Sequence, residues 1–217
     1  MTGLRLYDYA ASANCYKVRL LVAQLGLEVE RVPVDIFAGE SLGDAYGRVN
    51  PARTVPVLET HDGRFLPESA AILLYLAEGT PFLPEDAFGC AQVVRWLVYE
   101  QTDVIPAVGG LRFRLLTGRL DPDGDEAARR KQAGLEVLRL LDEHVSDREF
   151  FVGDAYSVAD IAIYGYVHVA GEAGYDLQSY QHVDTWLERV RRQPGYMNDL
   201  EPYPANAAAG ASRSIYD

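Results

Sequence analysis

The chain has 217 residues, of which 48% are hydrophobic and 24% are charged, a composition typical of globular proteins. Its 20 Lys and Arg residues stand against 32 Asp and Glu residues, which gives a net charge of −12. Nucleic acids and anionic membranes are bound mainly through Lys and Arg. We therefore expect no nucleic-acid partner and no membrane partner.

Targeting and metal signals are missing from the sequence. The first residues lack the basic and apolar regions of a secretory signal, and no stretch approaches the ~18 apolar residues of a membrane helix. The only cysteines are Cys15 and Cys90, which fits a reducing compartment and is too few for a four-cysteine zinc site. We expect a cytoplasmic protein without a metal site.

Short strands and helices alternate in residues 1–80, which we assign to a first domain. The elements predicted there are a strand at 4–7, a helix ended by Gly26, a strand at 29–34, a hairpin within 55–66 and a helix at 69–77. This order indicates a small mixed sheet with helices packed on it.

Residues 81–87 are predicted to be a linker, because Pro81 and Pro84 stop the preceding helix. Residues 88–217 are predicted to be an all-helical domain that ends in a loosely attached tail from residue 202. Pro106 should kink or divide the first long helix, since proline removes a backbone donor. The net charge is −3 in residues 1–80 and −9 in the remainder.

Ser12, Asn14 and Cys15 lie between the first strand and the first helix. Free N–H groups and partial positive charge at a helix N-terminus stabilise an anion, so a hydroxyl or thiol here is a candidate for chemistry. Ser and Asn are also common helix caps. The residues alone leave both interpretations open.

Two further junctions carry polar groups. Val55 and Pro56 open a predicted strand, and a cis bond there would turn the Val55 backbone groups outward, where an extended peptide-like ligand could pair with them. Glu68 and Ser69 precede a helix, where a hydroxyl and nearby N–H groups can bind a carboxylate. The alternatives are a turn before an edge strand and a simple helix cap.

In this order and spacing, the three junctions resemble those of the glutathione transferase superfamily. The resemblance covers about residues 4–195 and implies a thioredoxin-like N-terminal domain followed by an all-helical C-terminal domain. It places Ser12 at the catalytic position, Val55-Pro56 as the cis-proline pair and Glu68-Ser69 as the γ-glutamyl clamp. The segment from Gly153 to Asp160 is similar to the capping-box segment of the family's core helix.

Asn14, two residues after Ser12, resembles the arrangement in which some bacterial classes contact the glutathione sulfur. The resemblance therefore implies a serine/asparagine type with Ser12 and Asn14 as catalytic residues. The other glutathione contacts that it implies are Tyr7, Cys15, Arg53, Thr54, Val55, Pro56, Glu68, Ser69 and Asp103. Which of Ser12, Asn14, Cys15 or Tyr7 lies nearest the sulfur is left open.

The implied function is transfer of glutathione to a small electrophile in detoxification, by a homodimer that uses glutathione as co-substrate and needs no cofactor. One alternative is glutathione-dependent reduction of a disulfide. A second is a non-catalytic adaptor with the same fold, although an intact clamp argues against it.

Overall fold

The computed structural model describes residues 3–216 and divides the chain into two compact units. The first unit runs to Leu76 and also contains the segment from Met197 onward. The second unit runs from Ala77 to Tyr196. Each unit has its own buried core.

A four-stranded sheet with the order β2-β1-β3-β4 forms the centre of the first unit. Strand β1 pairs in parallel with β2, while β3 lies antiparallel to both β1 and β4. The elements in chain order are β1 (Leu4–Asp8), α1 (Ala13–Leu25), β2 (Val29–Pro33), α2 (Asp44–Val49), β3 (Val57–Glu59), β4 (Phe65–Pro67) and α3 (Ser69–Ala77). This confirms the predicted mixed sheet, to which the structure adds the short helix α2.

Helix α1 ends as its sequence predicts. Gly26 adopts the left-handed conformation with φ of 64°, and its N–H donates to the Ala23 carbonyl. Glycine reaches this conformation at no steric cost, which explains its place after the last helical residue. The face with Val18 and Leu21 is fully buried.

The segment from Met197 is attached to the first unit by a charged cluster. Arg19, only 3% exposed, pairs with Asp8 of β1 at 2.7 Å and with Asp199 at 2.8 Å. Arg31 of β2 also reaches both carboxylates. The residues from 202 onward, expected to be a loose tail of the helical domain, belong instead to the first unit, where Asn206 Nδ2 donates to Asp35 at 2.9 Å.

The second unit is helical throughout, as predicted. Its helices are α4 (Ala87–Tyr99), a π-helix (Glu100–Gly109), α5 (Gly110–Leu116), α6 (Asp125–His144), α7 (Val158–Val167) and α8 (Gln181–Arg191). No helix in residues 3–216 is long and apolar enough to cross a membrane. The segment predicted as a linker is in contact with this unit, because the Val158 N–H donates to the Phe82 carbonyl at 3.0 Å.

Pro106 divides the first long helical stretch, as expected. It lies inside the π-helix that separates α4 from α5. Proline cannot supply the N–H that an α-helical turn requires, and the stretch that contains Pro106 has the wider π geometry instead of the α geometry.

The capping box at the start of α7 is confirmed. The Asp160 carboxylate accepts from the Ser157 N–H at 3.0 Å, and the Ser157 hydroxyl accepts from the Ala159 N–H. Asp160 also accepts from the Phe151 N–H and from Trp186 Nε1. One buried carboxylate therefore joins the start of α7 to a preceding loop and to α8.

Candidate active site

Ser12 is the N-cap of α1. Its backbone is extended, with φ of −85° and ψ of 120°, and its Oγ accepts from the Cys15 N–H at 3.3 Å. A hydroxyl that accepts in this way keeps its own proton for donation to another group. The half-buried Ser12 side chain therefore satisfies the cap interpretation and can still donate to an anion at this helix end.

Cys15 belongs to the core. Its side chain is fully buried, and its Sγ accepts from the Tyr9 N–H at 3.4 Å. Burial raises the pKa of this thiol to about 12, with a further contribution from the Asp8 carboxylate. This placement corrects the expectation that Cys15 contacts glutathione, because a thiol so enclosed and so weakly acidic is not available to a ligand.

Asn14 and Ser69 bring two helix N-termini together. The Ser69 hydroxyl donates to Asn14 Oδ1 at 3.2 Å, which links the first turns of α1 and α3. The Asn14 oxygen accepts this bond, so the Nδ2 group on the same carbon atom keeps its two N–H donors for other acceptors. The bond also brings the partly positive N-termini of α1 and α3 to one site.

The Ser69 side chain is only 3% exposed. With its hydroxyl directed to Asn14, its role differs from the predicted direct hydrogen bond to a carboxylate. The N–H groups at the start of α3 are the donors that this junction presents to an anion.

The loop before β3 holds the predicted cis-proline. The Val55-Pro56 bond is cis, and the pairing of β3 with β1 starts one residue later, at Val57. The Thr54 carbonyl accepts from the Tyr46 hydroxyl at 2.7 Å and from Asn50 Nδ2 at 3.0 Å. These two hydrogen bonds to the Thr54 carbonyl hold the backbone of the Thr54-Val55 pair in place.

Sequence reasoning missed Tyr46 and Asn50 as supports of this loop. Asn50 is only 2% exposed, and its Nδ2 also donates to the Thr54 hydroxyl at 2.9 Å. The available signal was the Asn50-Pro51 turn, since asparagine commonly hydrogen-bonds nearby backbone groups. Tyr46 gave no signal, because its helix was not predicted.

Arg53 and Glu68 share an unusual backbone. In the described part of the chain they are the only residues other than glycine with positive φ, at 62° and 72°. Such residues cost on the order of 1–3 kcal/mol each and cluster at ligand sites. Each directly precedes a predicted binding element, the Thr54-Val55 loop or the start of α3.

The Arg53 side chain differs from its expected role as a carboxylate partner. Its Nη1 donates to the carbonyls of Ser41 and Gly43. The guanidinium also lies where a side chain on Gly47 would be, which explains the glycine in α2. Arg53 thus supports the loop, whereas the Glu68 side chain is exposed and accessible to a ligand.

Tyr7 is engaged elsewhere. Its hydroxyl donates to Glu59 Oε2 at 3.1 Å, and burial together with this hydrogen bond raises the pKa of the phenol. A donor committed to a carboxylate is poorly suited to stabilise a thiolate. The structure therefore favours Ser12 and Asn14 over Tyr7 for that role.

Asp103 lies in the second unit, exposed on the π-helix. Together with Pro106 and residues of α6 that include Glu126 and Arg130, it lines a cleft of about 370 Å³. Its expected contact with glutathione stays a prediction.

A thioredoxin-like sheet with a cis-proline before β3, and two helix N-termini joined beside it, defines the class of fold and site. The family model described as the N-terminal domain of glutathione S-transferase matches residues 6–82. The model for the C-terminal domain of glutathione S-transferase matches residues 104–194.

Curated and solved relatives agree with these matches. A glutathione S-transferase structure from Pseudomonas fluorescens has a TM-score of 0.88 and 36% identity, over 92% of this chain and 100% of that one. Glutathione S-transferase stcT of Emericella nidulans is 32% identical over 77% of this chain and 80% of its own length. Disulfide-bond oxidoreductase YfcG of Escherichia coli is 29% identical, covering 86% of this chain and 89% of its own. The chain belongs to the glutathione S-transferase family.

Proposed function

We propose that this protein is a glutathione transferase of the serine/asparagine type, in which Ser12 and Asn14 stabilise the glutathione thiolate. The observation that carries the proposal is the Ser69–Asn14 hydrogen bond of 3.2 Å. It joins the first turn of α1, the helix that Ser12 caps, to the first turn of α3. The family membership supports glutathione as the co-substrate, and the reaction requires no further cofactor.

Thiolate stabilisation is the chemical task of this site. A free thiol of this kind has a pKa of about 8.5, so little thiolate exists at neutral pH. Lowering that pKa by about two units requires about 2.7 kcal/mol, and one or two hydrogen bonds to a charged group supply this. The thiolate then attacks the electrophile, whose leaving group departs as a thioether forms.

The remaining contacts hold the tripeptide. The Val55 backbone is offered by the fixed loop, the exposed Glu68 carboxylate suits the γ-glutamyl ammonium group, and the N–H groups at the start of α3 suit its carboxylate. Thr54 and Pro56 act through the loop backbone, and Asp103 of a partner subunit is a further contact. We propose a cytoplasmic homodimer that acts in detoxification.

Reduction of disulfides by glutathione is a second candidate function. It is favoured by the Ser12-x-Asn14 pattern and by the similarity to the disulfide-bond oxidoreductase of Escherichia coli. A non-catalytic adaptor is less favoured, since an adaptor would not need Ser12, Asn14 and Glu68 together at one site.

Turnover with two substrates tests the proposal. The purified protein is assayed with glutathione and either 1-chloro-2,4-dinitrobenzene or hydroxyethyl disulfide. Higher kcat/KM for conjugation supports a transferase, whereas higher kcat/KM for the disulfide supports a reductase. No turnover and no retention on glutathione resin would support the adaptor. Loss of disulfide reduction in Cys15→Ser, with folding intact, would implicate a protein thiol and contradict the assignment to Ser12 and Asn14.

A further inference from the structure

The segment near the end of the described chain lies against the loop that would hold glutathione. Ser214, Ile215 and Tyr216 lie against Arg53, Thr54 and Val55 and leave between them a space too small for a water molecule. Sites for small ligands usually offer about 300–1,000 Å³. While the segment lies there, the side of the loop that it covers has no room for a tripeptide.

Local contacts place the segment there. The Arg213 N–H donates to the Phe37 carbonyl at 2.8 Å, and the Tyr216 ring lies 6.4 Å from the Phe37 ring. Gly39, with φ of 86°, lies next to Arg213, whose carbonyl is 3.4 Å from where a Cβ on this glycine would be. The loop from Phe37 to Gly39 is thus the surface that the segment contacts.

The attachment of the segment is uneven along its length. Asp199 is paired with the buried Arg19, and Asn206 donates to Asp35 at 2.9 Å. Residues 213–216 lie at the outer end of the segment, where Arg213, Ile215 and Tyr216 are exposed. Exposed segments open locally at low free energy, so these residues can leave the loop while the anchored part stays in place.

We propose that residues 213–216 occupy part of the glutathione site and compete with glutathione, so that glutathione binds fully only after they withdraw. This inference rests on the proposed function, since it takes the Val55 loop as the glutathione site. A site that is open for a fraction of the time has its apparent Kd raised by the inverse of that fraction. For a withdrawal that breaks one backbone hydrogen bond, that of Arg213, we expect a penalty of about three- to ten-fold.

Binding and hydrogen exchange test the proposal in the full chain. Calorimetry with glutathione compares the wild type with Tyr216→Ala and with the double variant Ile215→Gly and Tyr216→Gly. Phe88→Ala is the matched control, because Phe88 is an aromatic residue of the other unit and is 73% exposed. Hydrogen exchange of residues 210–216 is then measured with and without glutathione.

We expect both Tyr216 variants to bind glutathione about three- to ten-fold more tightly, the control to match the wild type, and glutathione to speed exchange in residues 210–216. Unchanged or weaker binding by both Tyr216 variants, or slower exchange in the segment, would overturn the inference while the wild type's own binding upholds the proposed site. If neither the wild type nor the variants bind glutathione, both the inference and the proposed function are wrong. Binding by the variants alone would support both.

Discussion

Replacement of Ser12 separates the two tasks that the structure gives its hydroxyl. As N-cap of α1, the oxygen accepts from the Cys15 N–H at 3.3 Å. As proposed thiolate stabiliser, the same group donates its proton to the glutathione sulfur. Ser12→Ala removes both interactions, so it is expected to alter the free energy of unfolding and the pKa of bound glutathione.

The two effects have separate magnitudes. Loss of an N-cap side chain costs about 0.5–2 kcal/mol of stability. Loss of a hydrogen bond to a charged group costs about 1.5–3 kcal/mol, which raises the thiol pKa by about one to two units. With Asn14 still present, we expect the pKa to rise by about one unit, from about 6.5 to about 7.5. The thiolate fraction at about pH 7, and with it the conjugation rate, should then fall about three-fold.

Ser12→Gly is the matched control, because glycine costs only a few tenths of a kcal/mol at an N-cap but has no hydroxyl. It should raise the thiol pKa as much as alanine does, with a much smaller loss of stability. Ser12→Thr keeps the hydroxyl and should retain both properties.

The thiol pKa is measured from the ultraviolet absorbance of the thiolate as bound glutathione is titrated. Stability is measured by urea unfolding. A thiol pKa that stays at the wild-type value in Ser12→Ala and Ser12→Gly, with glutathione bound, would refute the role of the hydroxyl. If Asn14→Ala also left that pKa unchanged, the whole assignment of the thiolate site would fail.

Three further predictions concern the scaffold. Arg19→Met removes the buried partner of the Asp8 carboxylate at 2.7 Å but leaves its ion pair with Arg31, so it should cost about 1–3 kcal/mol in urea unfolding; no measurable loss would contradict a structural role for the pair. A Cβ on Gly134 would lie 1.8 Å from the Tyr175 hydroxyl, so Gly134→Ala should cost about 1–3 kcal/mol, and Tyr175→Phe should recover part of that loss if this contact is the cause. Burial lowers the pKa of His168 from 6.5 to about 4; the unfolded chain therefore takes up the proton first, and stability is lost as the pH falls from 6.5 toward 4, by about 3 kcal/mol. The same pH series with His168→Gln should lack this component, and parallel curves for the two proteins would disprove it.

The spacing of apolar residues, together with the glycines and prolines that end helices, explains why so much of the secondary structure could be predicted. The helix that ends at Gly26 and the helix over 69–77 were recognised because apolar spacing, glycine and proline act within a few residues of each other. The capping box of Ser157 and Asp160 was visible for the same reason. Helix α2 was not, because its six residues, Asp44–Val49, are too few to show a period.

The order of the three loop junctions indicated the family and the approximate site. Side-chain directions within that site were not accessible in the same way. Cys15 and Asn14 are neighbours in the sequence, yet their side chains have different surroundings. The Cys15 thiol is buried in the core, whereas the Asn14 side chain accepts a hydrogen bond from Ser69, 55 residues further along the chain. Arg53 was expected at a ligand carboxylate and instead donates to backbone carbonyls.

By itself, the sequence determined the two kinds of domain, the helix ends and the polar residues gathered at the loop junctions, because these follow from local spacing and from steric rules of the backbone. Only the tertiary structure decided which groups at those junctions are accessible, and that the segment from Met197 returns to the first unit. The attachment of that segment depends on Arg19, Asp8 and Asp199, which lie up to 191 residues apart in the chain and are paired in the folded protein. Charge pairing over such distances leaves no periodic pattern in a sequence. In the folded protein, a buried charge needs an opposite charge beside it, so the pairing fixes where the segment lies.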